Sequence, residues 1–340
     1  MPQQMQSLVV ERPGSLGLAA RPVPEPAAGE VRVRVERAGI CGSDVHIFHG
    51  TNPFARYPRV IGHEFMGRID AVGEGVATKP GTRVVVDPVV ACGHCYACSV
   101  GRPNVCASLA VIGVHRDGGF SQFACVPAGN AIAVPESLTD EQAAMIEPFA
   151  VAANITEKLQ PAQRDIALVY GAGPIGITIL QTLKYVFGVS EVISADFIDE
   201  RLAMARANGA DRTVNNREKP LAEVFADPAS RPTLVIDAAC HPAILPEAIS
   251  LASPAGRIGI LSFSATPSPV TQQQIVSKEL TIFSSRLNQR KFPRVIEWMA
   301  AGRLHPERLI THRFPAAEYA RAFDVFEHDQ TGCCKVLLSF

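Results

Sequence analysis

The sequence lacks an excess of charge of either sign, because its 340 residues carry 32 Lys and Arg against 33 Asp and Glu. It therefore lacks the basic surface that nucleic acid or an anionic membrane recognises, and neither is expected as a partner. Long apolar runs are also missing, since no stretch approaches the ~20 residues that a transmembrane helix needs. Residues 1–10 lack the charged-then-apolar layout of a signal peptide, so we expect a cytoplasmic protein.

Charged residues are few, at 19% against 47% hydrophobic residues, and this composition excludes intrinsic disorder. A chain of this length predicts two domains or one large one, at ~100–200 residues per domain. The nine cysteines are unevenly placed, with four of them inside fifteen residues. In a reducing cytoplasm such a cluster favours metal binding over disulfides.

The pattern of secondary structure changes near residue 150. Before it, short period-2 segments such as 31–35 and 82–86, broken by glycines, predict a barrel-like all-β domain. After it, buried strands alternate with helices, which predicts a parallel, doubly wound α/β sheet. Within this second region the pattern predicts a helix over 174–187 and a helix over 200–208 that Asp199 caps.

The densest chemical motif is a C-x2-C-x2-C-x7-C run formed by Cys92, Cys95, Cys98 and Cys106. Four thiolates close a tetrahedral zinc shell and leave no position for substrate, so the run predicts a structural zinc site. An iron–sulfur cluster is the main alternative, because ferredoxin-like runs also repeat the C-x2-C spacing.

A second, sparser group combines Cys41 with His63 and Glu64. Thiolate, imidazole and carboxylate suit a catalytic zinc, which needs three protein ligands and one exchangeable position. Glu147 is a further candidate carboxylate between the two regions. The alternatives are a buried apolar Cys41, a hydrogen-bonded turn histidine at 63 and a solvated Glu147.

A glycine-rich turn follows the predicted strand 166–170 and opens a helix; its residues include Gly171, Gly173, Pro174, Ile175 and Gly176. This strand–turn–helix context predicts dinucleotide binding, with the pyrophosphate at the helix N-terminus. Asp196 ends the next strand, where its carboxylate bonds the adenosine ribose and repels a 2′-phosphate, so NAD is preferred over NADP. Arg201 is a candidate residue beside the adenosine end of the cofactor. The alternative is a tight turn without a ligand.

Together, these motifs resemble the zinc-dependent medium-chain alcohol dehydrogenase family. The similarity is closest to its polyol branch of sorbitol and threonine dehydrogenases and to the sugar-acid (hexonate) dehydrogenases. The matching segments are 38–46, 62–64, the four cysteines, 147–148 and 171–176. The resemblance implies a GroES-like β-barrel catalytic domain over 1–152 and 289–340, a Rossmann NAD-binding domain over 153–288, and an active site in the cleft between them.

The resemblance also assigns roles to residues. It implies a catalytic zinc bound by Cys41 and His63 together with Glu64 or Glu147. Ser43 and His46 match the proton relay of the family, and the four clustered cysteines match its structural-zinc ligands. The implied cofactors are therefore two zinc ions per chain and NAD, and the implied assembly is a homodimer or homotetramer.

The implied reaction is oxidation of a secondary alcohol of a polyol or sugar acid, a hexonate such as galactonate, to a ketone by hydride transfer. Arg116 is the candidate partner of a substrate carboxylate; contact with a cofactor phosphate or a neighbouring subunit is its alternative. The alternative functions are those of a threonine-type amino-alcohol dehydrogenase, a quinone or enoyl reductase of the zinc-free kind, and a non-catalytic NAD sensor. Zinc-free relatives lack the cysteine run and the pair of Cys41 and His63.

Overall fold

A computed structural model of the chain describes residues 3–340, which form two compact units. The first unit takes residues up to Glu147 together with Phe292–Ala300 and Pro306–Phe340, and the second takes Pro148–Lys291 and Ala301–His305. Within 3–340, no helix has both the length and the apolar character that crossing a bilayer requires.

Short strands build the N-terminal part of the first unit, as the alternation over 31–35 predicts. The strands are β1 (Gln4–Arg12), β2 (Ser15–Pro22), β3 (Glu30–Gly39), β4 (Arg59–Val60), β5 (Glu64–Val72), β6 (Arg83–Val86), β7 (Val89–Val90), β8 (Ala110–Val111), β9 (Phe123–Pro127) and β10 (Ala131–Ala133). The helices among them are α1 (Gly42–Phe48), α2 (Tyr96–Ser99) and α3 (Asp140–Ala144). The alternating valines of β3, Val31, Val33 and Val35, are buried and contribute to the core.

Alternating strands and helices follow along the chain and form the second unit. The strands are β11 (Ile166–Tyr170), β12 (Glu191–Asp196), β13 (Arg212–Asn215), β14 (Leu234–Asp237), β15 (Arg257–Ile260) and β16 (Thr281–Ser284). The helices of this stretch are α4 (Ile146–Leu159), α5 (Pro174–Gln181), α6 (Asp199–Ala207), α7 (Leu221–Val224), α8 (Ile244–Leu251) and α9 (Gln272–Val276). All six strands are parallel, in the order β13-β12-β11-β14-β15-β16. This is the dinucleotide-binding order, and it confirms the predicted doubly wound sheet.

The C-terminal segment returns to the sheet of the first unit. It contains α10 (Phe292–Ala300), β17 (Ile310–Pro315), α11 (Tyr319–His328) and β18 (Lys335–Ser339). Strand β18 runs antiparallel to β3 and parallel to β17, giving the order β10-β6-β5-β3-β18-β17, with β9 also paired to β3. The last strand of the chain therefore lies beside one of the first.

Two local expectations differ from the structure. Asp199 is the first residue of α6 and not its cap, because Ile198 occupies the N-cap position and the Asp199 carboxylate accepts a hydrogen bond from Asn215 at 2.9 Å. The helix predicted over 174–187 is α5 followed by a π-helical turn, Thr182–Val186. A change in hydrogen-bond period leaves the apolar pattern nearly unchanged, so the sequence does not reveal it.

Candidate active site

Three strand ends meet at one point of the first unit. Strand β3 ends two residues before Cys41, β5 begins at Glu64, and β18 begins at Lys335. In the register of the sheet, Gly39 lies opposite Glu64 on one side and Leu337 on the other. The pairing of these strands therefore brings Cys41, Glu64 and Lys335 together from distant parts of the sequence.

A candidate metal centre forms at this point. Ligand atoms of Cys41, His63 and Glu64 lie within 4.8 Å of one another. His63 is only 6% exposed, and its Nδ1 finds no hydrogen-bond partner among the described residues. A buried imidazole with an unsatisfied nitrogen beside a thiol and a carboxylate is a donor set that fits zinc. The structure thus brings these three candidates together.

Asp44 connects the two loops that carry Cys41 and His63. Its buried carboxylate accepts the backbone N–H groups of Cys41 and Gly62, both at 3.0 Å, and its Oδ1 lies 3.8 Å from His63 Nδ1. Burial acts to lower the pKa of His63, but the negative charges of Cys41 and Asp44 outweigh it and raise that pKa well above its usual value. The site therefore favours positive charge at this imidazole.

Glu147, in the first turn of α4, is buried rather than solvated, with 3% of its surface exposed. Burial raises the pKa of Glu147 to about 8, and the negative charge of nearby Glu64 adds to this rise. The positive charges of His63 and Lys335 oppose it only in part. Of the described residues, Glu147 is not part of the 4.8 Å group, although its electrostatic partners place it beside that group.

The sequence argument missed Lys335. Its Nζ donates to both carboxylate oxygens of Glu64, at 2.9 and 2.7 Å, and to the Ile40 carbonyl at 3.1 Å. Burial acts to lower the pKa of Lys335, but the charges of Glu64 and Cys41 raise it above its usual value. The only signal in the sequence is one lysine beginning an otherwise apolar strand, and nothing local points to a partner 271 residues away.

The helix α1 carries the two candidate relay residues. Ser43 is half-buried and His46 is exposed, three positions apart and therefore on neighbouring parts of one helix face. His46 Nδ1 lies 2.9 Å from the hydroxyl of Thr51. The arrangement leaves Ser43 partly covered and His46 open to solvent.

The four clustered cysteines form a second candidate metal centre. Their sulfurs lie within 4.8 Å of one another, with separations of 3.6 Å for Cys95–Cys98, 3.7 Å for Cys95–Cys106 and 3.4 Å for Cys106–Cys92. Sulfurs at about 2.3 Å from a tetrahedral zinc ion lie about 3.8 Å apart, so the group fits the ion closely. Backbone N–H groups, first that of Ala107, lower the pKa of Cys95 to about 6, which favours the thiolate.

The glycine-rich turn in the second unit has the geometry of a phosphate cradle. Gly171 has φ +89°, and a Cβ on Gly176 would lie 1.8 Å from the Gly171 carbonyl oxygen, so only glycine permits this close approach of strand and helix. Gly173 is the N-cap of α5, Pro174 and Ile175 begin that helix, and a Cβ on Gly173 would meet open space. The helix N-terminus therefore offers backbone donors to a diphosphate.

Asp196 ends β12 beside this turn. One carboxylate oxygen accepts the backbone N–H of Ala172 at 2.7 Å, and the other accepts those of Phe197 and Ile198 at 2.7 and 3.1 Å. These bonds fix the carboxylate at the carboxyl end of the sheet, where dinucleotides bind. Arg201 lies in the first turn of α6, directly after it.

Arg116 is placed elsewhere in the first unit. Its Nη2 forms an ion pair with Glu30 Oε1 at 2.7 Å, and its side chain is 40% exposed. Of the described candidates, Arg116 does not belong to either metal-ligand group. Its guanidinium therefore already has a carboxylate partner within the protein.

Comparison with known proteins assigns the family. A family model described as alcohol dehydrogenase GroES-like domain matches residues 27–136, and one described as zinc-binding dehydrogenase matches 174–301. The starvation-sensing protein RspB of Escherichia coli K12 is 60% identical over 337 residues, covering 99% of each chain. The chain belongs to the zinc-type medium-chain alcohol dehydrogenases. This confirms the predicted family and its fold, a GroES-like domain with a Rossmann domain.

Two further comparisons describe relatives of this dehydrogenase. The L-galactonate-5-dehydrogenase of Escherichia coli K12 is 31% identical over 332 residues, with 94% of each chain covered. A crystal structure described as a short chain alcohol dehydrogenase from Escherichia coli CFT073, complexed with the cofactor NADH, superimposes with a TM-score of 0.97 at 59% identity, covering 99% of each chain. As a member of this family, the protein is an NAD(P)-dependent zinc-type oxidoreductase that acts on a small molecule.

Proposed function

We propose that this dehydrogenase oxidises a secondary alcohol of a polyol or sugar acid, a hexonate such as galactonate, to a ketone with NAD as the oxidant. The observation that carries the proposal is the convergence of Cys41, His63 and Glu64 within 4.8 Å in an otherwise buried site. The similarity to an L-galactonate-5-dehydrogenase over 94% of the chain supports the choice of a sugar acid.

In this proposal Cys41 and His63 hold the catalytic zinc with a buried carboxylate, and the four-cysteine group holds a structural zinc. When bound, the catalytic zinc supplies Lewis-acid polarisation of the substrate oxygen, and NAD supplies the hydride acceptor. The protein orients the donor set through Asp44, whose carboxylate fixes the backbone at Cys41 and Gly62. Ser43 accepts the hydroxyl proton of the substrate and gives up its own hydroxyl proton to the relay, whose exposed end, His46, releases a proton to solvent.

The proposed domain organisation follows the sequence expectation, with a catalytic domain over 1–152 and 289–340 and an NAD-binding domain over 153–288. Gly171, Gly173, Pro174, Ile175 and Gly176 are the proposed contacts to the cofactor diphosphate. Asp196 and Arg201 are the proposed contacts to its adenosine end. We also propose a cytoplasmic homodimer or homotetramer, and the cluster of four thiols supports a reducing compartment.

A substrate panel tests the sugar-acid proposal. Galactonate, galactitol and L-threonine are compared as substrates with NAD, and galactonate is expected to have the highest kcat/KM. If Arg116 bonds the substrate carboxylate, Arg116→Ala lowers kcat/KM for galactonate about tenfold or more, the effect of one charge-assisted hydrogen bond, and leaves galactitol unchanged.

Two results contradict parts of this proposal separately. If Arg116→Ala lowers kcat/KM equally for galactonate and galactitol, Arg116 does not bind the substrate carboxylate and acts only through its ion pair with Glu30. A preference for L-threonine over both sugars assigns the enzyme to amino alcohols instead. The Arg21→Ala variant is the matched control, because Arg21 is an exposed arginine that likewise pairs with a carboxylate, that of Asp117.

The preference for NAD depends on Asp196. An Asp196→Asn variant keeps one of the two oxygens that accept backbone N–H groups, replaces the other with an NH2 group that does not accept, and removes the charge that opposes a 2′-phosphate. The ratio of kcat/KM for NAD to that for NADP is expected to fall about tenfold or more, equal to roughly 1.4 kcal/mol. A wild-type enzyme that uses both cofactors equally well contradicts the assignment.

A further inference from the structure

A strained segment follows β16, the last strand of the parallel sheet. Residues 285–291 form neither helix nor strand, and two of them, Leu287 and Arg290, have φ values of 50° and 53°. This left-handed conformation is unfavourable for residues other than glycine, and it persists where surrounding contacts enforce it. The segment therefore needs a support that holds its shape.

One face of α4 provides such a support. Asn154, Glu157 and Lys158 lie side by side on this helix, because residues three and four positions apart are neighbours on a helix surface. The Lys158 ammonium donates to the Ser284 carbonyl at 2.9 Å, and the Glu157 carboxylate forms an ion pair with Lys291. These contacts hold the two ends of the segment.

Asn154 holds the centre of the segment. This residue is fully buried, and its Nδ2 donates to Ser285 Oγ at 2.8 Å and to the Leu287 carbonyl at 3.3 Å. A carbonyl oxygen only accepts hydrogen bonds, so the amide nitrogen must face Leu287. Asn154 Oδ1 has no hydrogen-bond partner among the described residues. An apolar side chain would fill this space without the cost of an unpaired buried acceptor, which indicates that Asn154 does more than fill the core.

The position of the segment in the sheet points to the nicotinamide end of the cofactor. A doubly wound sheet of this order binds a dinucleotide outside the carboxyl ends of its strands, with one mononucleotide on each half of the sheet. The glycine-rich turn and Asp196 belong to the half formed by β11, β12 and β13, where the adenosine end is proposed to lie. Residues 285–291 begin at the carboxyl end of β16, in the other half. There the Arg286 guanidinium lies over the ring of Phe263, which follows β15, at 5.3 Å from its centre.

We propose that Asn154 is a positioning residue that keeps residues 285–291 in the conformation that binds the nicotinamide half of NAD. Its two hydrogen bonds fix the segment before the cofactor arrives, so that NAD binding does not have to order it. The residues that carry this inference all lie in the second unit. The inference rests on the proposed NAD site at the glycine-rich turn and Asp196.

ADP-ribose, which is the cofactor without its nicotinamide, separates this role from general support of the fold. The dissociation constants of NADH and ADP-ribose are measured for the zinc-loaded enzyme by calorimetric titration. Asn154→Ala is expected to raise the Kd of NADH about fivefold or more, because the segment is no longer preorganised, and to leave the Kd of ADP-ribose within about twofold.

The matched control is Thr156→Val. Thr156 is a buried polar residue of the same helix, and its hydroxyl donates to the Ala152 carbonyl of that helix. Both dissociation constants are expected to stay at their wild-type values in this variant. A loss of NADH affinity as large as that of Asn154→Ala would mean that any polar substitution in α4 disturbs the site, and it overturns the specific role of Asn154.

Two results for Asn154→Ala also overturn the proposal. If the variant weakens the binding of NADH and ADP-ribose equally, the residue only supports the fold of the second unit. If neither constant changes in the folded variant, the segment binds nicotinamide without Asn154. The proposed cofactor site is tested separately by Asp196→Asn, which is expected to weaken both ligands because both contain the adenosine end. Unchanged binding of both ligands in that variant contradicts the proposed site itself.

Ser285→Ala decides the matter if Asn154→Ala does not fold. This variant removes one of the two hydrogen bonds of Asn154 and keeps the one to the Leu287 carbonyl. The Kd of NADH is therefore expected to rise about threefold, and that of ADP-ribose to stay unchanged. A Ser285→Ala enzyme that binds NADH as tightly as wild type, or that loses affinity for both ligands alike, overturns the proposal.

Discussion

A His63→Ala variant of this dehydrogenase is expected to lose about a thousandfold or more of its kcat, equal to roughly 4 kcal/mol of transition-state stabilisation. The reason is that His63 is one of three side chains whose ligand atoms lie within 4.8 Å, and two remaining donors hold zinc poorly. The affinity for NADH is expected to stay within about threefold, because the glycine-rich turn belongs to the other unit. Steady-state kinetics and a fluorescence titration with NADH measure the two quantities.

The control for this variant is His328→Ala, which removes an exposed histidine that pairs with Asp324 in the same helix. It is expected to keep wild-type kcat and full zinc content. Metal analysis accompanies each measurement, since the effect on turnover is assigned to the loss of one zinc ion. Near-normal activity in a His63→Ala protein with verified metal content would refute the assignment of His63.

Replacing one thiol of the four-cysteine group is expected to destabilise the enzyme most. The segment 92–106 has few buried side chains, and Tyr96 is 83% exposed, so little apolar burial holds it. Metal binding therefore supplies most of its folding energy. We expect Cys106→Ser to lower the zinc content from two ions per chain to one and the Tm by about 5 °C or more, at roughly 2–4 °C per kcal/mol.

Chymotrypsin locates this effect within the chain. Its target Tyr96 lies in α2, whose backbone bonds run from Ser99 to Cys95 and from Val100 to Tyr96. Loss of the metal frees this segment, so cleavage after Tyr96 is expected to accelerate in Cys106→Ser. Cys125→Ser, which changes a half-buried thiol outside the group, is the control. Iron with acid-labile sulfide in the purified protein would instead support the iron–sulfur alternative.

Local sequence patterns predicted the parts of this enzyme that lie close together along the chain. The four cysteines span fifteen residues, so their spacing alone restricts their geometry, and the structure places their sulfurs within 4.8 Å. The turn from Gly171 to Gly176 directly follows β11 and opens α5, as its strand–turn–helix context predicted. In each case the motif and the structure it forms share the same few residues.

Features that depend on strand pairing were beyond the sequence argument. No sequence pattern indicated that β18 lies beside β3, and Lys335 was therefore not connected with Glu64. Likewise, the charge of Arg116 suggested a substrate contact, but the fold brings Glu30 to it from 86 residues away. A single sequence carries no signal for such long-range pairs, because many alternative pairings satisfy the same apolar pattern.

The place of β18 beside β3 has a consequence for biosynthesis. The first unit is interrupted in the sequence by the second, and its sheet gains β17 and β18 only from residues beyond 309. During translation the inserted unit is complete before these strands leave the ribosome, so it is free to fold first. Until then residues 37–39 of β3 lack the strand that later pairs with them, because β9 covers only residues 30–34 of that edge.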